Sequence, residues 1–424
     1  MFHLYAKYFL TLVVCFLAGF SAVAQNLVGE NSPYSRFGIG EQRNGVNTLL
    51  KGMGSISSAY NNPFAVNTDN PASYAAIRLT TYEAGGEGST RSVRTASDKY
   101  TTGMATLTHL NVGIPIGKNG GIAFGLKPNT RVYYLLQDTV NAVGVGRSLN
   151  TFNGNGGTNY GFIGAGYRYK GFSLGANFGY IFGTINHFKE ITGIDTFKVN
   201  HARFANSTKI GGIYWKAGAL YETNFSKKLG MRAGATFAAS QNITARRDEY
   251  WYSVSSADPS IYDTAYRLTN VKNTTTIPMT YSAGFHLVGI DKWMAGIDFT
   301  GANWSDFRNF GAADSVADNA YKVSVGGEYT PNMASITRYF DRVTYRIGFS
   351  YGQDHIYLRG TNINYYSGTV GMSLPFRRAT DRIHTAFEIG SRGTTANGLL
   401  RETFTRFSLG ISLNDRWFVK RRYD

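Results

Sequence analysis

From about Leu79 to the C-terminus, apolar or aromatic residues alternate with Gly, Ser, Thr, Asn or a charged residue, segment after segment. Val343, Tyr345, Ile347, Phe349 and Tyr351 interleave with Thr344, Arg346, Gly348, Ser350 and Gly352. Phe172, Leu174, Ala176, Phe178, Tyr180 and Phe182 interleave mostly with Ser173, Gly175, Asn177, Gly179 and Gly183. Successive side chains of a strand point to opposite faces, so each segment has one greasy face and one small, polar face. In a soluble sandwich the greasy faces would meet in a core. Repeated this often behind an export signal, they are expected to face lipid, with the polar face lining a lumen.

The export signal is read at residues 1–24. Lys7 and His3 lie in a short n-region, residues 9–20 form an apolar core, and Ala22-Val23-Ala24 precedes Gln25 as a cleavage site. The single cysteine, Cys15, falls inside it, after Val14 rather than the small residue of a lipoprotein site. The processed chain is therefore expected to carry no disulfide and no cysteine-based metal site. No second run approaches the roughly 20 apolar residues of a membrane helix, so a bilayer can be crossed only by a closed barrel. The 50 Gly, 29 Tyr and 28 Phe against 9 Pro suit strands and aromatic girdles. A formal charge of +16 without a basic helix or nucleic-acid motif argues against nucleic acid. It fits membrane lipid or lipopolysaccharide headgroups, or Lys and Arg scattered through loops and turns.

Strands are expected to start near residues 79, 103, 121, 158, 171, 208, 229, 273, 293, 319, 342, 362, 381 and 401. That makes fourteen antiparallel strands, an even number as a bacterial single-chain barrel requires. The domain reading is a signal peptide at 1–24, a plug at 25–77 and an outer-membrane barrel at 78–424. Tight turns at Gly117-Lys118-Asn119-Gly120, Lys170-Gly171, Ser226-Lys227-Lys228 and Ile290-Asp291-Lys292 alternate with long connections such as 137–157 and 246–271. Short periplasmic turns and long external loops give this pattern, with both termini in the periplasm. Two connections depart from it: the longer 330–342 at a turn end and the short Arg359-Gly360-Thr361 at a loop end.

Alternation also assigns faces. Leu229, Met231, Ala233, Ala235 and Phe237 point to lipid, as do Phe407, Leu409, Ile411 and Leu413. Arg232, Lys322, Arg346 and Arg406 point inward with Asp298, Glu328 and Glu388. An Arg or Lys facing lipid at the midplane would cost roughly 2–4 kcal/mol, so their shared polar face supports the register. These cations have two readings: a clamp for a ligand carboxylate, or partners for the inward acids and for plug carbonyls. Trp215, Trp251, Trp293, Trp304 and Trp417 are candidate interfacial anchors.

Residues 25–77 lack strand alternation and are rich in Asn, Ser, Gly and Pro. A fourteen-stranded barrel is too wide for its own side chains to fill, so this segment reads as a plug, against the alternative of a periplasmic tail. It contains Gly52-Met53-Gly54 and then, just before the first strand, Asn70-Pro71-Ala72. In that order these motifs resemble the outer-membrane long-chain fatty-acid transporter family. The resemblance covers the plug by motif and the rest by strand count. It implies a hatch inside a fourteen-stranded barrel, uptake of hydrophobic molecules, and a kink in the third strand that opens a side portal. Gly125, Lys127 and Pro128 of the third strand coincide with that position. Proline cannot donate to a ladder, so Pro128 marks a bulge, a kink or a strand end. The ending Trp417-Phe418-Val419-Lys420-Arg421-Arg422-Tyr423-Asp424 departs from the aromatic terminus usual in barrels.

Catalytic chemistry is not legible. Gly-x-Ser-x-Gly matches around Ser173 and Ser350 lie in or at strands, without the strand-to-helix turn of a nucleophile elbow. His109, His187, His201, His286, His355 and His384 show no metal-binding spacing, and no cofactor is expected. Three readings remain open: passive uptake of a fatty-acid-like hydrophobic compound through a hatch-gated barrel, an accessory or shuttle subunit of an outer-membrane secretion or assembly complex, and an open porin. A plugged lumen counts against the last.

Overall fold

The computed structural model describes residues 29–43, 45–142, 146–194, 200–258, 260–376 and 380–417. The signal-peptide reading and the residues after Trp417 lie outside them. Fourteen antiparallel strands pair in chain order and close on themselves. They are β1 (Thr80–Arg94), β2 (Lys99–Ile116), β3 (Gly120–Ala142), β4 (Gly146–Tyr169), β5 (Phe172–Gly193) and β6 (His201–Asn224). Two interrupted strands follow: β7 (Leu229–Ala238 and Gln241–Val254) and β8 (Tyr262–Ile277 and Met279–Gly289), the latter broken at Pro278, which has no amide to donate. Then come β9 (Trp293–Asn303), β10 (Asn319–Tyr329), β11 (Thr344–Leu358), β12 (Thr361–Pro375), β13 (Arg382–Gly393) and β14 (Arg401–Asp415). Closure is complete at the seam, where β14 pairs with β1 from Arg401–Arg94 to Asp415–Thr80.

Side-chain facing follows the alternation. Leu174, Ile163 and Ile347 are exposed on the outer face, whereas Ser173, Asn177, Ser350 and Thr369 are buried on the inner one. Two-residue turns join β4 to β5 and β11 to β12. Lys170 and Gly171 have φ of 45° and 87°, and Arg359 and Gly360 49° and 74°, the left-handed pair that matches strand twist.

The long external loops expected at 137–157 and 246–271 are mostly strand. Gln137–Asn141 stays paired with Arg147–Thr151, and β7 stays paired with β8 up to Val254–Tyr262. A bilayer needs only about 9–11 residues of tilted strand, so β3 to β8 run far beyond it at the loop end. Beyond lipid both faces can be polar, which erases the alternation that marks a strand in sequence. Strands β9 to β14 are much shorter, so one arc of the barrel stands higher than the other.

Residues 29–43 and 45–77 lie inside the barrel. They hold a 3₁₀ turn (Pro33–Arg36), a two-residue strand (Glu41–Gln42), a helical turn (Thr48–Lys51) and a 3₁₀ helix (Pro71–Ala76). Leu49, Leu50, Met53, Ile56 and Tyr60 are buried among themselves and against Met294. The first described residue, Gly29, sits against the Tyr133 ring on the loop-end half of β3, while Trp417 meets Tyr82 at the turn end.

Candidate functional site

The site is the lumen and the place where its wall parts. Strands β2 and β3 pair only from Leu110–Leu126 to Ile116–Gly120. Above that point β2 continues on β1, and β3 continues on β4 through a bulge after Pro128. Pro128 therefore neither ends nor breaks its strand. The freed edge of β3 is taken by the hatch: Glu41 and Gln42 pair with Arg131 and Thr130, and the Arg43 amide donates to the Asn129 carbonyl at 2.9 Å. Gly125 packs against Asn111 of β2, and Lys127 turns inward to Asp69 at 3.1 Å.

The hatch is held at three levels. At the loop end Arg91 of β1, fully buried, meets Glu30 at 3.0 Å, Glu41 at 2.8 Å and Glu402. Burial pushes the Glu41 carboxyl up, but Arg91, Arg43, Arg406 and Arg392 outweigh it and hold it well below the ordinary carboxylate range. Asp69 also starts from a burial penalty, and Lys127, Lys216 and Lys322 bring it down to about 2. At mid-height the Gly54 amide donates to Thr369 at 2.9 Å, and Ser350 donates to the Gly54 carbonyl at 2.9 Å. The Asp298 carboxylate accepts from the amides of Ser57 and Ser58, both at 2.6 Å. At the turn end Asn70 caps its 3₁₀ helix by accepting from Ala72, and donates to the carbonyls of Ser58 and Ala219.

These contacts explain the small residues of the wall. A methyl on Gly348 would overlap the Gly54 backbone, and one on Gly175 would overlap Pro71. The Gly52-Met53-Gly54 and Asn70-Pro71-Ala72 motifs thus lie against wall glycines, as do Ser58 against Gly234 and Tyr74 against Gly121. Ser350, in one Gly-x-Ser-x-Gly match, is a hatch anchor; Ser173, in the other, is buried beside Arg168.

Of the four inward cations, three are committed. Arg232 contacts Glu222 at 3.1 Å and the Asn61 carbonyl at 2.9 Å. Arg346 contacts Glu328 at 2.8 Å and Ser373. Arg406 lies 3.3 Å from both Glu388 and the hatch residue Glu41. Lys322 faces open space. So does Lys216, which the sequence reading passed over although its neighbours Trp215 and Ala217 alternate outward around it. Trp304 is not an interfacial anchor: it is buried and stacks on His355 at 4.1 Å. It belongs to the β9–β10 connection, which closes over the hatch where Asp314 accepts from the Gly38 amide at 2.8 Å. That connection reads as an ordinary loop in sequence.

Between hatch and cap lies a central cavity of about 390 Å³. A second, also about 390 Å³, opens at the parting of β2 and β3 beside Thr106, Leu107 and Thr108. The two share Arg43, Pro128, Glu388 and Arg406 as lining. Among the described residues no three His, Cys, Asp or Glu side chains gather as a metal site needs.

The BamG family model matches residues 6–424. The chain belongs to the BamG family. A search of curated proteins gave no match. Among solved structures, this BamG-family chain is similar to the toluene transporter TbuX of Ralstonia pickettii, at 13% identity over 87% of this chain and 98% of that one, TM-score 0.56. It is also similar to the Pseudomonas putida toluene transporter TodX, at 14% identity over 88% and 98%, TM-score 0.54. A Pseudomonas aeruginosa FadL homologue matches at 13% identity over 87% and 98%, TM-score 0.53. At such identities the likeness concerns the fold, a plugged outer-membrane barrel.

Proposed function

We propose that this BamG-family barrel admits hydrophobic or amphiphilic molecules, fatty-acid-like in shape, to a hatch-gated lumen through the side gap. The observation that carries this reading is the parting of β2 and β3, with a cavity at the gap that shares its lining with the central one. The shared fold of two toluene transporters and a FadL homologue supports it. Membrane lipid or lipopolysaccharide would surround the outer face. Thr106→Trp places an indole in the gap. Uptake of a fluorescent fatty-acid analogue into liposomes holding the protein should fall at least fivefold in that variant, with barrel folding unchanged. Equal uptake in both proteins overturns the reading.

A second reading, an accessory subunit of an outer-membrane secretion or assembly complex, is favoured by the strength of the hatch lock. Arg91 with Glu30, Glu41 and Glu402 is a buried cluster of charges, and breaking such a cluster to move the hatch is costly. In that role the tall arc of β3 to β8 and the outer face would hold partner proteins. Purification in mild detergent separates the readings: stoichiometric outer-membrane partners favour the second, a monomer with bound lipid the first.

A further inference from the structure

We infer that the central cavity contains a site for a phosphate group, set between Lys216 and Lys322 above Asp69, with an apolar wall beside it for an attached chain. The inference rests on the reading that the lumen takes a ligand, and it names the chemistry of that ligand.

Lys127 comes from β3, Lys216 from β6 and Lys322 from β10, three separate sectors of the wall. All three ammonium groups act on one carboxylate, that of Asp69 on the hatch. Lys127 is already committed to it at 3.1 Å. Among the described residues Lys216 and Lys322 have neither a hydrogen-bond nor an ion-pair partner, and both line the cavity. The acids nearest Lys322 are occupied. Asp298 binds His286 and two hatch amides, and Glu388 binds Arg406. The whole cavity repeats the imbalance, with six Lys and Arg against four carboxylates in its lining.

Two surplus positive charges facing one cavity call for about two negative ones, because a charge partly withdrawn from water is costly without a partner. A phosphate monoester carries about −1.5 to −2 at neutral pH, whereas a carboxylate supplies one charge. Three tetrahedrally placed acceptor oxygens can also meet lysines arriving from different sides, which a planar carboxylate does less well. Beside the lysines the lining turns apolar at Ile39, Tyr160, Ile181, Tyr214, Ile277 and Trp304. A chain attached to the phosphate would lie there, making a lipid phosphate monoester the better-fitting source than free phosphate.

Titration calorimetry and phosphorus NMR on the full chain in uncharged detergent test this with dodecyl phosphate, dodecanoate and inorganic phosphate. Dodecyl phosphate should bind saturably at one site per chain, with dodecanoate at least tenfold weaker. Lys216→Met with Lys322→Met should weaken dodecyl phosphate at least tenfold, while Lys216→Arg with Lys322→Arg retains it. Inorganic phosphate that competes with equal affinity supports the phosphate site and makes free phosphate its source. Dodecyl phosphate bound equally by wild type and the Met variant, or dodecanoate bound as tightly, overturns the inference and leaves the uptake reading standing. Failure of every amphiphile to bind overturns both.

Discussion

Asn31 of the hatch does for Leu135 of β3 what a neighbouring strand would do. Its side-chain amide donates to the Leu135 carbonyl at 2.9 Å, and its side-chain oxygen accepts from the Leu135 amide at 3.1 Å. Its own backbone amide donates to Thr102 of β2 at 2.9 Å, so one residue spans the two strands that part.

Asn31→Ala should therefore loosen the outer part of the gap without unfolding the barrel. Three hydrogen bonds of about 1 kcal/mol each go with the side chain, two to Leu135 and one to the Tyr100 hydroxyl. Conductance in planar bilayers should rise, and amides of Tyr133 to Leu135 should exchange with solvent faster. Unchanged exchange would show that the gap is held elsewhere.

Arg91→Met should be among the most damaging single changes. It leaves Glu30, Glu41 and Glu402 facing one another in a buried place, a loss of about 3–5 kcal/mol. The temperature at which the folded band converts to the unfolded one on gels should drop sharply. Exposed Arg401→Met, on the neighbouring strand, serves as the control and should change it little.

Acid should release the hatch. The Asp69 carboxyl is held at about 2, against an ordinary value near 3.8, and Glu41 is also held low. A lowered folded-state value contributes stability that is fully present above the ordinary range and fades as pH falls toward the folded value. Protease cleavage within residues 29–79 should stay low from pH 7 to about 5 and rise between about pH 4 and 2. Asp69→Asn should blunt that rise.

Gly348→Val forces a branched side chain into the Gly54 backbone, an overpacking of roughly 1–3 kcal/mol or more. The hatch should become protease-sensitive while the barrel keeps its gel shift. Protection equal to wild type would mean that the Met-Gly turn is not seated on β11.

Most of the architecture was readable because lipid imposes period two on every spanning strand. Leu229 to Phe237 and Phe407 to Leu413 take the faces their alternation assigns. The rule fails where lipid stops, which is why the upper parts of β3, β4, β7 and β8 read as loops. The candidate site was readable in part. Lys127 and Pro128 sit at the gap, and Arg232 and Arg406 touch the hatch. Asn31, Arg91 and Asp69 are different: their partners lie far away in sequence, and no local pattern pairs Arg91 with Glu402. Trp304 misled because a tryptophan after a barrel strand looks the same whether it meets headgroups or folds inward.

The unequal strand lengths slant the mouth. β3 to β6 exceed β9 to β14 by about ten residues each, roughly 30 Å of strand. A body approaching from outside meets a screen over half the compass and a low sill over the rest. Because the screen begins at β3, the strand that also borders the side gap, anything leaning on it is held at a fixed azimuth to that doorway.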